Sequence, residues 1–279
     1  MRKTRMSIAL LAAVLACALV ASVALAATIT GTNRSEQLVG TDDPDSIDGK
    51  GGRDRIVALA GGDTVDAGFG RDRILAGPGN DRVEGGIGRD RVAGAGGDDQ
   101  LSGSFGHDLL LGGVGADELL GGPLGDALYG GAGNDQADGG PGHDLLRGGS
   151  GDDVQDGGAR GDRIAANLGV DHSNGGRGND RLWALARGDV HPGPNGEIDT
   201  VGDTLDGGPG NDRIRTRDGE VDTVTCGDGA DRARLDEVDV ISDATSENPN
   251  GSCEVVTRAA PKPEDAAEEP DQDHETDEE

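Results

Sequence analysis

The chain has 279 residues, a formal net charge of −29, 52 glycines and 1% aromatic residues. A conventional core of this size buries large aromatic side chains, and this sequence has almost none to supply. The acidic balance excludes nucleic acid as the main partner, because phosphates would be repelled, and it favours cations. Lys and Arg are interleaved with the acids, as in Arg53-Asp54-Arg55 and Arg89-Asp90-Arg91, and the sequence shows no separate basic face.

Residues 1–26 read as an export signal. Met1 to Arg5 carry positive charge, Met6 to Leu25 are apolar and alanine-rich, and Ala24-Leu25-Ala26 offers a small-x-small cleavage site after Ala26. Two alternatives are a retained anchor, since the apolar run approaches the ~20 residues that span a bilayer, and acylation of Cys17. Leu15 suits a lipobox poorly, whereas the Ala-x-Ala site stands where a peptidase needs it. The expectation is therefore an extracellular, secreted chain with no membrane span once the signal is removed, either free or held at the cell surface.

Residues 27–183 are dominated by one short repeat. An aspartate recurs every nine residues without a miss: Asp45, Asp54, Asp63, Asp72, Asp81, Asp90, Asp99, Asp108, Asp117, Asp126, Asp135, Asp144, Asp153, Asp162, Asp171 and Asp180. Two residues after each comes a mostly aliphatic position, running from Ile47, Ile56 and Val65 to Leu128, then Ala137, Leu146, Gln155, Ile164, Ser173 and Leu182. The pattern is G-G-x-G-x-D-x-U-x, with U aliphatic. Such a strict period is the mark of a repeat architecture.

The triplet centred on U alternates out-in-out, as a short half-buried strand does. The six residues before it reverse the chain, using glycine where φ must be positive. One nonapeptide thus gives a strand and a turn. Two give an 18-residue coil of an all-β, parallel β-roll or β-helix solenoid with two sheets and a narrow aliphatic core. Gln155 and Ser173 interrupt that core, so a looser roll is expected near them.

Stacking puts residues eighteen apart in register at about 4.8 Å. Carboxylates about 5 Å apart repel by roughly 3 kcal/mol per pair at an effective dielectric near 20, so a column of them calls for a cation. Oxygen ligands, carbonyls freed by the glycine turns, and no His or Cys in the motif point to calcium.

These nonapeptides resemble those of the RTX, or haemolysin-type, calcium-binding repeat family, over about Gly40 to Arg215. The resemblance implies a Ca²⁺ ion between successive turns on one side of a parallel β-roll, held by motif aspartates and glycine-loop carbonyls. Carried over by residue, the full motif opens at Gly85, Gly112, Gly130, Gly139, Gly148, Gly175 and Gly207 and ends at Asp90, Asp117, Asp135, Asp144, Asp153, Asp180 and Asp212. Near matches end at Asp72, Asp81, Asp99 and Asp108. The best-supported column is Asp81, Asp99, Asp117, Asp135 and Asp153, followed by Asp72, Asp90 and Asp108, with weak or empty sites at the ends.

Several copies depart from the motif. Leu124 and Arg160 replace the third glycine before Asp126 and Asp162, while Ala58-Leu59 and Ala166-Asn167 replace the glycine pair before Asp63 and Asp171. His107 and His143 fall in the variable place before the motif Asp and are expected to face solvent.

Residues 184–202 break the register and contain Pro192, Pro194 and Asn195-Gly196, which reads as an inserted loop. Residues 203–258 resume the phase at Asp203 and Asp212, slip by one to Asp222, and carry Cys226 and Cys253. Two cysteines in an exported chain suggest a disulfide-linked cap, with Leu235 to Ile241 as its last strand. Residues 259–279 are Pro- and acid-rich and are expected to be a disordered tail. The tripeptides Arg160-Gly161-Asp162 and Arg187-Gly188-Asp189 are coincidence in a chain so rich in these residues.

The sequence contains no H-E-x-x-H and no G-x-S-x-G, and no segment outside the repeats is long enough for a catalytic domain. The expected function is therefore a secreted, non-enzymatic calcium-binding protein whose folding is coupled to the ion. The alternative is a cell-surface spacer or adhesive module in which calcium is purely structural. Nothing in the residues names a protein partner.

Overall fold

The computed structural model describes residues 26–184, 201–216, 218–245, 248 and 250–259. The expected export signal up to Leu25, the inner part of the expected inserted loop with Arg187-Gly188-Asp189, and the acidic segment beyond Ala259 lie outside the described residues.

The nonapeptide period becomes a regular alternation of short strands and turns. Most three-residue strands carry one buried aliphatic between two outward side chains, as in Gln37–Val39 and Thr64–Asp66. Successive nonapeptides alternate between two 12-stranded sheets in which each strand pairs in parallel with the one two nonapeptides away. The register is fixed by the U column: Val65 pairs with Val83, Val83 with Leu101 and Leu101 with Leu119 in the first sheet. In the second sheet Ile74 pairs with Val92, Val92 with Leu110 and Leu110 with Leu128. Among the described residues there is no helix. The fold is an all-β parallel solenoid, with about 18 residues per turn and two main sheets.

The core is the seam between the sheets, filled by Ile47, Ile56, Leu101, Leu110, Leu119, Leu128, Leu146, Ile164 and Leu182, all fully buried. Each such side chain contributes on the order of 1.5–3 kcal/mol through burial. No ring is needed in so thin a seam. Phe69 and Phe105 instead stand outside, 65% and 60% exposed. They belong to a short third ladder, unforeseen in the sequence, in which Gly51–Gly52, Phe69–Gly70, Ile87–Gly88 and Phe105–Gly106 pair along one row of turns.

Three sequence expectations change. The core does not loosen at Gln155 and Ser173: both are buried, Ser173 Oγ donates to Gln155 Oε1 at 2.9 Å, and Gln155 Nε2 donates to the Ala165 carbonyl at 3.1 Å. The two polar side chains satisfy each other, so burying them leaves no orphan. Leu235 to Ile241 is not one strand. Leu235 ends a second-sheet strand and Ile241 ends a first-sheet strand, and the final strand is Val255–Arg258.

The third change concerns charge. The strands of the second sheet carry Arg55, Arg73, Arg91, Arg147, Arg163, Arg181, Arg213, Arg215, Arg232, Arg234 and Arg258, and no Asp or Glu. The outward positions of the first sheet carry Asp48, Asp66, Glu84, Glu118, Asp138, Asp156 and Asp206, with Arg82 as their one arginine. A basic face therefore exists. Interleaving in the sequence conceals it, because Asp54 turns inward while Arg55 turns out.

The ladder passes the insertion without a break, Ser173 pairing with Leu205 and Leu182 with Ile214. At the end, Cys226 and Cys253 form a disulfide with Cα atoms 5.1 Å apart. It ties the last glycine-rich turn to the segment leading into the final strand.

Candidate metal centre

The motif aspartate sits at the junction of turn and strand, and its backbone is where the ladder begins. There the amide of each aspartate donates to the Oδ1 of the aspartate on the next coil. Asp99 donates to Asp117 at 2.9 Å, Asp117 to Asp135 at 2.8 Å and Asp135 to Asp153 at 2.8 Å. In the other row of turns Asp72 donates to Asp90, and Asp90 to Asp108, both at 2.7 Å. One carboxylate oxygen thus takes the place of a strand carbonyl and pulls the side chain inward.

The second oxygen has no such use. Oδ2 is buried and accepts no hydrogen bond in Asp72, Asp81, Asp90, Asp99, Asp108, Asp117, Asp126, Asp135, Asp144, Asp153, Asp162, Asp171, Asp180 and Asp212. It faces another acceptor. A Cβ placed on Gly112 would lie less than 3.0 Å from both Asp117 Oδ2 and the Gly130 carbonyl of the next coil. Gly130 stands in the same relation to Asp135 and Gly148, and Gly139 to Asp144 and Gly157. Gly85 repeats the arrangement slightly more openly with Asp90 and Gly103, and Gly148 lies as close to Asp153 Oδ2. Neither oxygen can donate, so a buried carboxylate oxygen beside a carbonyl is satisfied by a cation between them or by a donor such as a proton or water.

The electrostatics agree. Burial, partly offset by the amide hydrogen bond and reinforced by neighbouring carboxylates, pushes Asp90, Asp99 and Asp153 up to about 7. Asp162 reaches about 8 and Asp171 about 9 for the same reasons. Asp81 and Asp117 are raised by burial in the same way. At the first rung the balance reverses: burial of Asp45 is outweighed by hydrogen bonds from the Ala27 and Thr41 amides and the Thr41 hydroxyl, and its pKa is lowered.

All the aspartates singled out in the sequence fall in these columns. Asp81, Asp99, Asp117, Asp135 and Asp153 form one, and Asp72, Asp90, Asp108, Asp144, Asp180 and Asp212 the other. The structure also brings in residues that the motif discounts. Asp126 and Asp162 hold the same place, receiving the amides of Asp108 and Asp144 at 2.7 and 2.8 Å. Leu124 and Arg160 keep the turn by entering the left-handed region, with φ of 85° and 86°. That strain costs about 1–2 kcal/mol per residue and leaves the carboxylate where it was.

The columns also extend further than Asp45. Glu36 donates its amide to Asp54 at 2.8 Å, and the Asp231 amide donates to Glu254. Glu36 lies nine residues before Asp45 and was legible from phase. Glu254 follows Asp231 by 23 residues, and only the folded ladder reveals it. His107 and His143 are exposed as expected, and each Nδ1 lies 2.8 Å from a next-coil carbonyl, of Gly125 and Gly161.

Among the described residues no three His, Cys, Asp or Glu side chains converge on one point. A cation here would draw on a carboxylate from a turn together with backbone carbonyls, a hard oxygen set suited to calcium. Alanine stands at the first motif position in Ala58, Ala67, Ala76 and Ala166, whereas a Cβ on the equivalent glycines would press on the carboxylate and the next-coil carbonyl. Among the described residues no helix is long and apolar enough to cross a membrane.

No curated protein matches the chain. The RTX calcium-binding nonapeptide repeat matches residues 30–65, 57–92, 84–119, 93–126, 120–155, 156–185 and 200–233, the greater part of the sequence. The repeats, the parallel roll and the oxygen-lined aspartate columns agree, and the chain belongs to the RTX calcium-binding nonapeptide repeat family.

Proposed function

We propose that this chain is an exported, non-enzymatic calcium-binding protein in which Ca²⁺ enters the aspartate columns and completes folding of the roll. The observation that carries the reading is the buried, unpartnered Oδ2 repeated from Asp72 to Asp212. Ionised and unneutralised, such a column opposes folding. With a divalent cation shared between turns, the same column becomes a stack of cross-links. The ligands are the carboxylates of Asp90, Asp99, Asp108, Asp117, Asp135, Asp144, Asp153, Asp180 and Asp212 and carbonyls of the turns opened by Gly85, Gly112, Gly130, Gly139 and Gly148. Asp126 and Asp162 join them, whereas the methyls of Ala67 and Ala76 weaken the sites at Asp72 and Asp81.

Extracellular calcium modules bind at about 10⁻⁴ to 10⁻³ M, so the chain stays open in a low-calcium cytoplasm and folds after export. Calorimetric titration of calcium into the mature chain gives stoichiometry and affinity. Circular dichroism in parallel reads the coupling. An identical spectrum with calcium and with chelator sinks the folding claim, and no heat of binding sinks the calcium claim.

A further inference from the structure

The two broad faces of the solenoid carry opposite charge, and on six coils an acidic residue of one face is matched by an arginine of the other. On the coil of Ile47 and Ile56, Asp48 leaves the first sheet and Arg55 leaves the second. The next two coils repeat the arrangement with Asp66 and Arg73, then Glu84 and Arg91. The coil after them is uncharged on both faces, with Gln100 and Ser102 on one side and Leu109 and Leu111 on the other. The next coil carries Glu118 alone, and charge then stands on both faces as Asp138 with Arg147 and Asp156 with Arg163, and past the insertion as Asp206 with Arg213. Glu118, Arg181, Arg232, Arg234 and Arg258 have no counterpart of opposite sign on their coils, and Arg82 stands beside Glu84 on the acidic face.

We propose that the arginine face is a docking surface for the acidic face of a second copy of this chain, the two rolls lying side by side in parallel register. Both faces derive from one backbone repeat, so arginine and carboxylate rows share the same spacing of about 4.8 Å. A copy displaced across its sheets, without rotation, brings Arg55, Arg73 and Arg91 over the partner's equivalents of Asp48, Asp66 and Glu84. It also brings the uncharged coil over the uncharged coil. Either of the two faces alone would attract many partners. Agreement in sign on six coils, with a shared uncharged coil among them, favours self-recognition.

The contact is heterologous, because each copy offers one face of each kind, so it propagates into an open row rather than closing as a dimer. The net charge of −29 opposes approach at long range. Screening over about 8 Å at physiological salt leaves the facing rows as the dominant interaction at contact. The inference needs the folded roll and no particular calcium stoichiometry.

Sedimentation velocity of the mature chain in saturating calcium tests it, with circular dichroism confirming the fold in every sample. The expected result is a weight-average mass that rises with protein concentration at about 0.15 M salt and falls to the monomer at about 1 M. Arg55→Glu/Arg73→Glu/Arg91→Glu and Asp48→Lys/Asp66→Lys/Glu84→Lys alter outward side chains only. Each triple variant alone is expected to be mainly monomeric, and their mixture to associate. A folded wild type that stays monomeric at both salts overturns the proposal, as does association that the triple variants leave unchanged. A monomer retained on a heparin column through the same arginines also overturns it and gives that face to an anionic polymer.

Discussion

The amide of Asp117 donates to Oδ1 of Asp135 on the next coil at 2.8 Å, while Oδ2 of Asp135 remains buried with no donor. One side chain therefore has two separable duties. Its first oxygen extends the backbone ladder, and its second is left for the proposed cation. Substitutions at this position can divide them.

Asp135→Asn keeps an oxygen for the Asp117 amide and removes the charge. It is expected to leave the calcium-free fold as stable as before, or more so, and to lower the number of ions bound. Asp135→Ala leaves the buried Asp117 amide unpaired as well, at a cost of about 1–3 kcal/mol. Thermal unfolding with and without calcium, beside calorimetric stoichiometry, distinguishes the two. Equal calcium uptake by Asp135→Asn and wild type would remove Asp135 from the ligand set.

The pH response follows from the raised carboxylates. Asp90, Asp99 and Asp153 rise from 3.8 to about 7 and Asp171 to about 9, burial being the leading cause. A carboxylate whose folded pKa is raised destabilises the fold when it ionises. The penalty is absent below pH 3.8, grows as pH rises, and is complete above the folded values of about 7 to 9. In chelator, β-structure is expected to strengthen as pH falls from 8 toward 5, and in saturating calcium to be nearly constant over that range. A chelated chain whose stability rises with pH would reverse the sign assigned to these columns.

Gly130→Ala places a methyl between Asp135 Oδ2 and the Gly148 carbonyl. Ala58, Ala67 and Ala76 occupy the equivalent position, so the roll is expected to fold. Calcium bound at that turn should be lost, seen as reduced stoichiometry with a wild-type spectrum in excess calcium. Full stoichiometry in this variant would show that the space beside the first glycine plays no part in binding.

Reduction of the Cys226–Cys253 bridge frees a loop with a sequence separation of 27. The expected cost is about 3 kcal/mol on the chain-entropy view, felt at the C-terminal end. Hydrogen exchange should quicken in Val255–Arg258 and Val240–Ile241 while the strands around Leu110 and Leu128 stay protected. Uniform loosening of the whole roll would mean that the cap and the array unfold as one unit.

Much of this molecule is written in its nine-residue phase. The phase by itself specifies the inward aliphatic from Ile47 to Leu182, the parallel pairing at eighteen residues and the aspartate columns. All three follow from a local rule repeated at a fixed interval. The tertiary structure decides what depends on partners one or more coils away. It assigns Oδ1 to the ladder and isolates Oδ2, and it places Glu254 in a column that its spacing conceals. It also lets Gln155 and Ser173 satisfy each other, and holds Leu124 and Arg160 in a strained turn that keeps Asp126 and Asp162 in line. Above all it separates Arg55 from Asp48. Outward charge on the strands repeats every eighteen residues rather than nine, and only the alternation of strands between two opposed sheets converts that longer period into two faces.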